Sequence, residues 1–479
     1  MRRGEDMALD SVKMNETMSA PVDAVVILGL ARQGLALARF FAEQGAQVTA
    51  SDSRSREELV DAMAELADLD ITYALGGHPF AVLEGCDLLC LSGGVPLDLP
   101  LVEEAVRRGI PLSNDAQEFL IRCEAPVVGI TGSAGKTTTT ALVGKMLAAS
   151  GLRTWVGGNI GNPLINDLSD IQVEDRVVME LSSFQLELMT TSPHVAGVLN
   201  ITPNHLDRHR TMAAYIAAKR HIVAHQTSQD IAVLGYDEPN ARQLSAATLA
   251  VVRYFSGIEE VDRGAFLRDQ HLIIRRADED VEVVNRAEIP LRGYHNIVNT
   301  LAALALADAA GATVEGMRDA IRHFEGVPHR LEEVRTVSGV LWVNDSIATA
   351  PERVLAALEA FERPLVLLAG GRDKDLPWER FAQRVVARVR LLVLFGEAAH
   401  LIESKVREAL ELADDQRIPV ALQRVVMAGS LERAVEEAAE RAQRGDVVLL
   451  SPGGTSFDAF RDFEERGNRF RELVRQLPD

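Results

Sequence analysis

Strands that alternate with helical patterns, a Gly-Lys-Thr loop that opens a helix, and a length beyond what one core can fill predict an α/β protein of three domains. The chain has 479 residues, well past the roughly 250–300 at which a single hydrophobic core stops growing. From Ala24 onward, apolar runs of strand length ("AVVILGL", "QVTASD", "CDLLCLSGG") are separated by helical patterns such as "GLALARFFAEQGA", the βαβ logic of a parallel sheet. The expected order is a Rossmann-like domain over residues 21–122, a central P-loop ATPase-type α/β domain over 123–326, and a C-terminal Rossmann-like α/β domain over 327–479, with a loose tail at 1–20.

Composition supports folded domains and narrows the partners. Hydrophobic residues at 47% and charged residues at 25% are near the average of globular proteins, so each domain can bury a core. The net charge of -20 argues against a nucleic-acid or acidic-membrane surface, and an anionic substrate would need local amides and a few Arg or Lys to hold it. Cys86, Cys90 and Cys123 form neither a disulfide framework nor paired zinc spacing, which fits a reducing cytoplasm. The first twenty residues lack the apolar stretch of a signal peptide. No apolar run approaches the about 18 residues of a spanning helix, so no membrane insertion is expected.

In the first domain, Gly29 and Gly34 resemble the ends of a dinucleotide fingerprint, with Asp52 near the right distance downstream. Ala31 occupies the middle position, where a glycine would let backbone approach a pyrophosphate. A nicotinamide site is therefore not predicted, while a nucleotide held in another way stays open.

The second domain opens with "VVGITGSAGKTTTTALVGKML", residues 127–147. The common P-loop places a glycine, four residues, then Gly-Lys-[Ser/Thr], but Ile130 stands at that first glycine, and the loop is the shorter Gly132-Ser133-Ala134-Gly135-Lys136-Thr137, followed by Thr138. A buried-strand pattern running into glycines and then a helix N-terminus suits phosphate, because the first helical amides lack partners and the dipole end is positive. Lys136 would neutralise phosphate oxygens, and the Thr137 hydroxyl would complete a Mg²⁺ shell. Glu180 follows the next apolar run, His205 the one after, and Lys219 lies on the helix beyond it. Taken singly, these three read more often as a solvated carboxylate, a structural histidine and a surface lysine. The recurrence of Glu180 and His205 after successive strand ends favours a metal site.

Together with "GGNIG", "ELSSFQLE", "NITPNHLDRH", "GYHNIVNTLAALALA", "GVPHRLE", "NDSIATAPE", "LLAGGRDK" and "LLSPGGTSFDAFRDFEERG", the short loop resembles the Mur ligase family of ATP-dependent peptide-bond formers. "LSGGVP" and "SPGGTSFDAF" look most like its glutamate-adding members. The resemblance implies a monomeric cytoplasmic enzyme that uses ATP to join UDP-N-acetylmuramoyl-L-alanine and glutamate through an acyl phosphate. It implies Lys136, His205 and Lys219 as catalytic residues, and ATP held by the loop Gly132 to Thr138, by Asn296 and Asn299 near adenine, and by Arg330 and Asp345 on phosphate and ribose. Of two expected Mg²⁺ ions, one would take Thr137 and Glu180, the other His205 and a carbamylated Lys219. Leu30, Ala31, Arg32, Asp52, Ser53, Arg54 and Gly94 would frame the UDP, Asn159 the acyl donor, and Thr349, Lys374, Ser451 and Phe457 the glutamate.

Three other readings stand beside this one. A folylpolyglutamate synthase would lack the full first domain, a non-catalytic nucleotide sensor would lack the later His and Lys, and sister ligases add alanine or a diamino acid. The chain also departs from the family's pattern. Where "NDSIATAP" begins, the glutamate-adding members commonly read Asp-Ser-Lys-Ala-Thr-Asn, so Ile347 replaces a lysine and Ala350 an asparagine. That makes Lys374 the motif-borne cation of the pocket and leaves D- against L-glutamate open.

Overall fold

The structure is a computed structural model that describes residues 22–277, 279–291, 293–374 and 376–478; the expected tail at 1–20 lies outside them. Three sheets are present, in two compact units. The first unit comprises the chain to Ile289 with Tyr294–His323, and the second comprises Pro290–Gly293 with the chain from Phe324 onward.

The first sheet is five-stranded and parallel, in the spatial order Ile71–Leu75, Gln47–Asp52, Ala24–Leu28, Leu88–Leu91, Leu112–Ser113. The order reverses beside Ala24–Leu28, and in open parallel sheets the carboxyl ends of strands at such a reversal form the ligand crevice. The two glycines of the broken fingerprint serve the turn there. Gly29 has φ 85°, and a Cβ on Gly34 would lie 1.8 Å from the Gly29 carbonyl oxygen, so the helix Arg32–Glu43 can leave the strand this closely only with glycine at both positions.

The second sheet has nine strands, in the order Glu279–Asn285, His271–Arg276, Gly264–Arg268, Val251–Ser256, Ile231–Gly235, Val195–Val198, Val127–Thr131, Arg176–Glu180, Thr154–Gly158. The first two named are antiparallel additions, and the rest are parallel. Val127–Thr131 is buried along its whole length, which is why it reads as a continuous apolar run without alternation. This sheet and the first are joined through side chains. Ile165 packs into the first sheet's core, and the helix Asp115–Leu120 sends Ala116, Phe119 and Leu120 into the core of the second.

The second unit holds a six-stranded sheet, Glu332–Val337, Val340–Asn344, Val447–Gly453, Leu365–Gly370, Val389–Phe395, Arg424–Gly429, parallel except for its first pair. Separate cores lie on its two faces, one around Trp378 and Phe381, the other around Trp342 and Phe470. Among the described residues no helix is long and apolar enough to cross a membrane.

Candidate active site

The phosphate loop joins the strand Val127–Thr131 to the helix Lys136–Ala149. Gly135 caps that helix at φ 85° without a side-chain cap. A Cβ there would stand 2.3 Å from Asn299 Oδ1, so the loop passes directly against the asparagine pair of the helix Tyr294–Ala309, in which Asn299 Nδ2 donates to Asn296 Oδ1 at 3.2 Å. Lys136 Nζ donates to the Gly132 carbonyl at 2.8 Å and thereby lies back along its own loop.

Thr137 Oγ1 donates to Glu180 Oε2 at 2.8 Å, and Asn159 Nδ2 donates to Glu180 Oε1 at 2.9 Å. Glu180 is a buried carboxylate at the end of the neighbouring strand, and both of these donors are neutral. A divalent cation would supply the opposite charge that a buried carboxylate ordinarily requires. The Asn159 carbonyl in turn accepts from Arg32 at 3.1 Å, so the first sheet's crevice reaches the phosphate loop through Arg32, Asn159 and Glu180.

Lys219 is 1% exposed and donates to Thr131 Oγ1 at 2.9 Å and to the Gly132 carbonyl at 3.1 Å. Its ammonium also stands over the Tyr215 ring at 4.9 Å. Burial pushes its pKa well below the ordinary lysine value, and the nearby Lys136 cation lowers it further, while Glu180 opposes the shift. The surface-lysine reading is thus excluded by packing. A neutral amine is the form that reacts with CO₂, and the carbamate that results is an anionic oxygen donor.

His205 enters on a different turn. It caps the short helix Leu206–His209 in a left-handed conformation, φ 52°, with its ring edge-on to Phe184 at 5.2 Å. Phe184 also carries the Arg208 guanidinium at 4.8 Å and stacks on His209 at 5.3 Å. Arg208 donates to the carbonyls of Gly94 and Val95 at 3.1 and 2.5 Å, which ties the His205 turn to the first sheet's "LSGGVP" loop. Among the described residues no group of three or more His, Cys, Asp or Glu is gathered as a metal cluster. The side chains near the loop fit a cation as Thr137 with Glu180, and Lys219 becomes an anionic partner only as its carbamate.

In the first sheet's crevice, Asp52 accepts from the Leu30 amide at 2.8 Å and from the Arg54 guanidinium at 2.7 and 3.0 Å. Burial raises the Asp52 pKa, but the Arg54 bonds outweigh it and hold the group at about 2. Leu30, Asp52 and Arg54 form one cluster, with Ala31 at the uncapped N-terminus of Arg32–Glu43 and Ser53 exposed beside it.

Within the second unit, Asp345 is buried and accepts from Ser451 Oγ at 2.7 Å and from the Leu331 amide at 3.2 Å. Burial pushes its pKa up to about 7 against those bonds. Lys374 Nζ points at Thr349 Oγ1, 3.5 Å away. Arg330 is half-buried, and Phe457 is exposed.

Some functional positions escaped the sequence reading. Asn200 Oδ1 accepts from the Ala134 amide at 2.9 Å, its Nδ2 donates to the Ala134 carbonyl at 3.1 Å, and its own carbonyl accepts from the Ser133 amide at 2.9 Å. It pins the crest of the phosphate loop. The available signal was a polar residue directly after the apolar run that ends at Leu199. The tie from Arg208 to the carbonyls of Gly94 and Val95 was also missed.

Comparison with known proteins meets this geometry. The MurD-like N-terminal domain of Mur ligases matches residues 23–114, the Mur ligase middle domain 130–307, and the Mur ligase glutamate ligase domain 329–454. A UDP-N-acetylmuramoylalanine--D-glutamate ligase of Symbiobacterium thermophilum is 42% identical over 459 residues, 95% of this chain and 98% of that protein. Enzymes of the same name from Clostridium kluyveri and Acetivibrio thermocellus are 40% and 38% identical, over 94% and 95% of this chain and 96% of each relative. Among solved structures, UDP-N-acetylmuramate-alanine ligase MurC of Thermotoga maritima superposes with a TM-score of 0.55 at 18% identity, over 95% of this chain and 99% of that one. MurF of Acinetobacter baumannii gives 0.57 at 16%, over 94% and 93%. These two carry the fold, and the end-to-end identity to the D-glutamate ligases carries the lineage: the chain belongs to the Mur ligase family.

Proposed function

We propose that this chain is the ATP-dependent ligase that adds D-glutamate to UDP-N-acetylmuramoyl-L-alanine, in the cytoplasm, during synthesis of peptidoglycan precursors. The observation that carries the chemistry is Lys219, buried against the loop that bears Lys136 and Thr137 and drawn toward its neutral form. The end-to-end likeness to D-glutamate ligases supports the choice of amino acid.

The alanyl carboxylate attacks the γ-phosphorus of ATP, ADP departs, and an acyl phosphate forms. The unprotonated amine of glutamate adds to that carbonyl, and the tetrahedral intermediate expels inorganic phosphate to leave the amide. Most of the protein's contribution is positioning and electrostatic stabilisation. Lys136 swings from the Gly132 carbonyl onto phosphate oxygens, the helix N-terminus behind it supplies amides, and Asn296 with Asn299 faces the base. Arg32 and Asn159 orient the acyl donor, while Leu30, Arg54 and the amides at Ala31 hold the UDP. Thr137 with Glu180, and His205 with carbamylated Lys219, would hold Mg²⁺ ions, whose charge offsets that of the phosphoryl group in flight. Arg330 and Asp345 serve ATP, and Thr349, Lys374 and Ser451 serve glutamate.

The test is phosphate release with ATP, UDP-N-acetylmuramoyl-L-alanine and each enantiomer of glutamate, alanine or a diamino acid. Release is expected with D-glutamate alone. Release with another amino acid in its place would assign a sister activity.

A further inference from the structure

The turn that carries His205 has left-handed backbone at both ends. His205 enters the short helix Leu206–His209 at φ 52°, and Arg210 leaves it at φ 63°. At Arg210 the Thr211 amide donates to the His209 carbonyl at 2.7 Å, which closes a three-residue turn of the rare, strained sign. Strain of this kind persists only where the surroundings over-determine the backbone.

Three consecutive side chains supply that constraint. Arg208 donates to the Gly94 and Val95 carbonyls, and its guanidinium lies over the Phe184 ring. His209 is buried, with Nε2 2.9 Å from Ser183 Oγ and its ring stacked on Phe184. Arg210 pairs with Asp98 at 2.8 Å, but both of those side chains are exposed, so this contact contributes little. Arg208 and His209 therefore do most of the holding. The segments they join are those that bear the site: residues 94–98 follow the strand Leu88–Leu91 at the crevice of the first sheet, Ser183 and Phe184 stand just past Glu180, and the turn itself opens on His205. Arg208 reaches two of them from the third. Its charge also acts on Glu187, a half-buried carboxylate whose pKa burial raises and Arg208 draws back down. A planar guanidinium with five donors can bridge two carbonyls and still cover an aromatic face, which an ammonium does less well.

We infer that Arg208 is a positioning residue for the UDP-linked acyl donor: it fixes the Gly94–Val95 edge of the crevice and the His205 turn at one spacing, so that a donor seated in the crevice presents its alanyl carboxylate to the phosphate loop. Arg208 touches no reacting atom and works through the main chain at Gly94 and Val95 and through Phe184. This inference rests on the ligase reading above.

The test is binding of UDP-N-acetylmuramoyl-L-alanine to the full chain by titration calorimetry, without ATP or Mg²⁺, followed by steady-state kinetics. Arg208→Ala should weaken the UDP-sugar about tenfold or more, as expected for loss of charge-assisted contacts, while a non-hydrolysable ATP analogue binds within about twofold of its native affinity. With every substrate saturating, kcat should also fall about tenfold or more, because a donor that is bound is no longer held in line. Arg208→Met keeps an apolar stem over Phe184 and loses both carbonyl bonds. It should show the same losses while melting at the native temperature. Native UDP-sugar affinity in either variant, or equal weakening of UDP-sugar and nucleotide in Arg208→Met, would overturn the inference. Failure of the native protein to bind the UDP-sugar is a different result, since it removes the ligase reading and this inference with it.

Discussion

Asn200 is where a single side chain decides whether the phosphate loop is preorganised. Its amide meets both the N–H and the C=O of Ala134, and its backbone carbonyl meets Ser133, so the crest of the loop is held by one residue of the neighbouring strand's exit. Asn200→Ala removes two side-chain bonds, worth roughly 1 kcal/mol each, and frees the Ala134 peptide to turn its N–H away from phosphate. The expected outcome is an ATP KM raised about tenfold, with the glutamate KM unchanged and the fold intact by circular dichroism. A larger effect on glutamate than on ATP would show that the loop is held by other means. The residues singled out from the sequence differ from Asn200 in a physical way. Lys136, Thr137 and Glu180 lie at fixed local spacings from a glycine turn or a strand end, so the chain alone brings out their character. Asn200 acquires its role only because Val195–Val198 is the sheet neighbour of Val127–Thr131, and strand order is not legible in a periodicity.

At the scale of elements, the helix Arg32–Glu43 shows how a broken motif can keep half its meaning. Ala31 argued against a nicotinamide site, yet the glycines on either side were retained for packing: the Gly34 Cα hydrogens face the Gly29 carbonyl where any Cβ would overlap it. Gly34→Ala must tilt the helix away from the strand, an overpacking that costs roughly 1–3 kcal/mol and shifts the amides at Ala31 and Arg32. The UDP-sugar KM should rise severalfold while the ATP KM stays constant, with a melting temperature lowered by a few degrees. Equal changes in both KM values would mean that the tilt propagates through Arg32 to Asn159. A helix boundary shows the limit of the sequence reading. Asp115–Leu120 reads as the tail of the first domain, but its apolar face belongs to the core of the second sheet, a choice set by which hydrophobic surface it can cover and not by its own pattern.

At the scale of the whole molecule, the first unit holds a buried polar cluster beside the apolar contacts that join its two sheets, and that cluster has a pH signature. Gln185, 1% exposed, donates through Nε2 to both Asp115 oxygens at 3.1 and 3.2 Å, and its carbonyl accepts from Asn114 Nδ2 at 2.8 Å. Burial raises the Asp115 pKa, and the Gln185 bonds draw it back down. A carboxyl group whose folded pKa lies above its unfolded value contributes most to stability when protonated, and it destabilises the fold progressively as pH rises from the unfolded pKa through the folded one. Gln185→Ala deletes the strongest opposition to burial, so Asp115 is pushed further up and the penalty of ionising it grows. The variant should therefore be destabilised by roughly 1.5–3 kcal/mol near neutral pH, the usual loss for a hydrogen bond to a buried charged group, and by clearly less at about pH 4, close to the unfolded carboxyl pKa, where little of the ionisation penalty is left. Thermal melts of native and variant protein at the two pH values check this. A deficit that is the same at both would assign the loss to the cavity left by the side chain, and the cluster would then be a packing contact whose carboxylate is incidental.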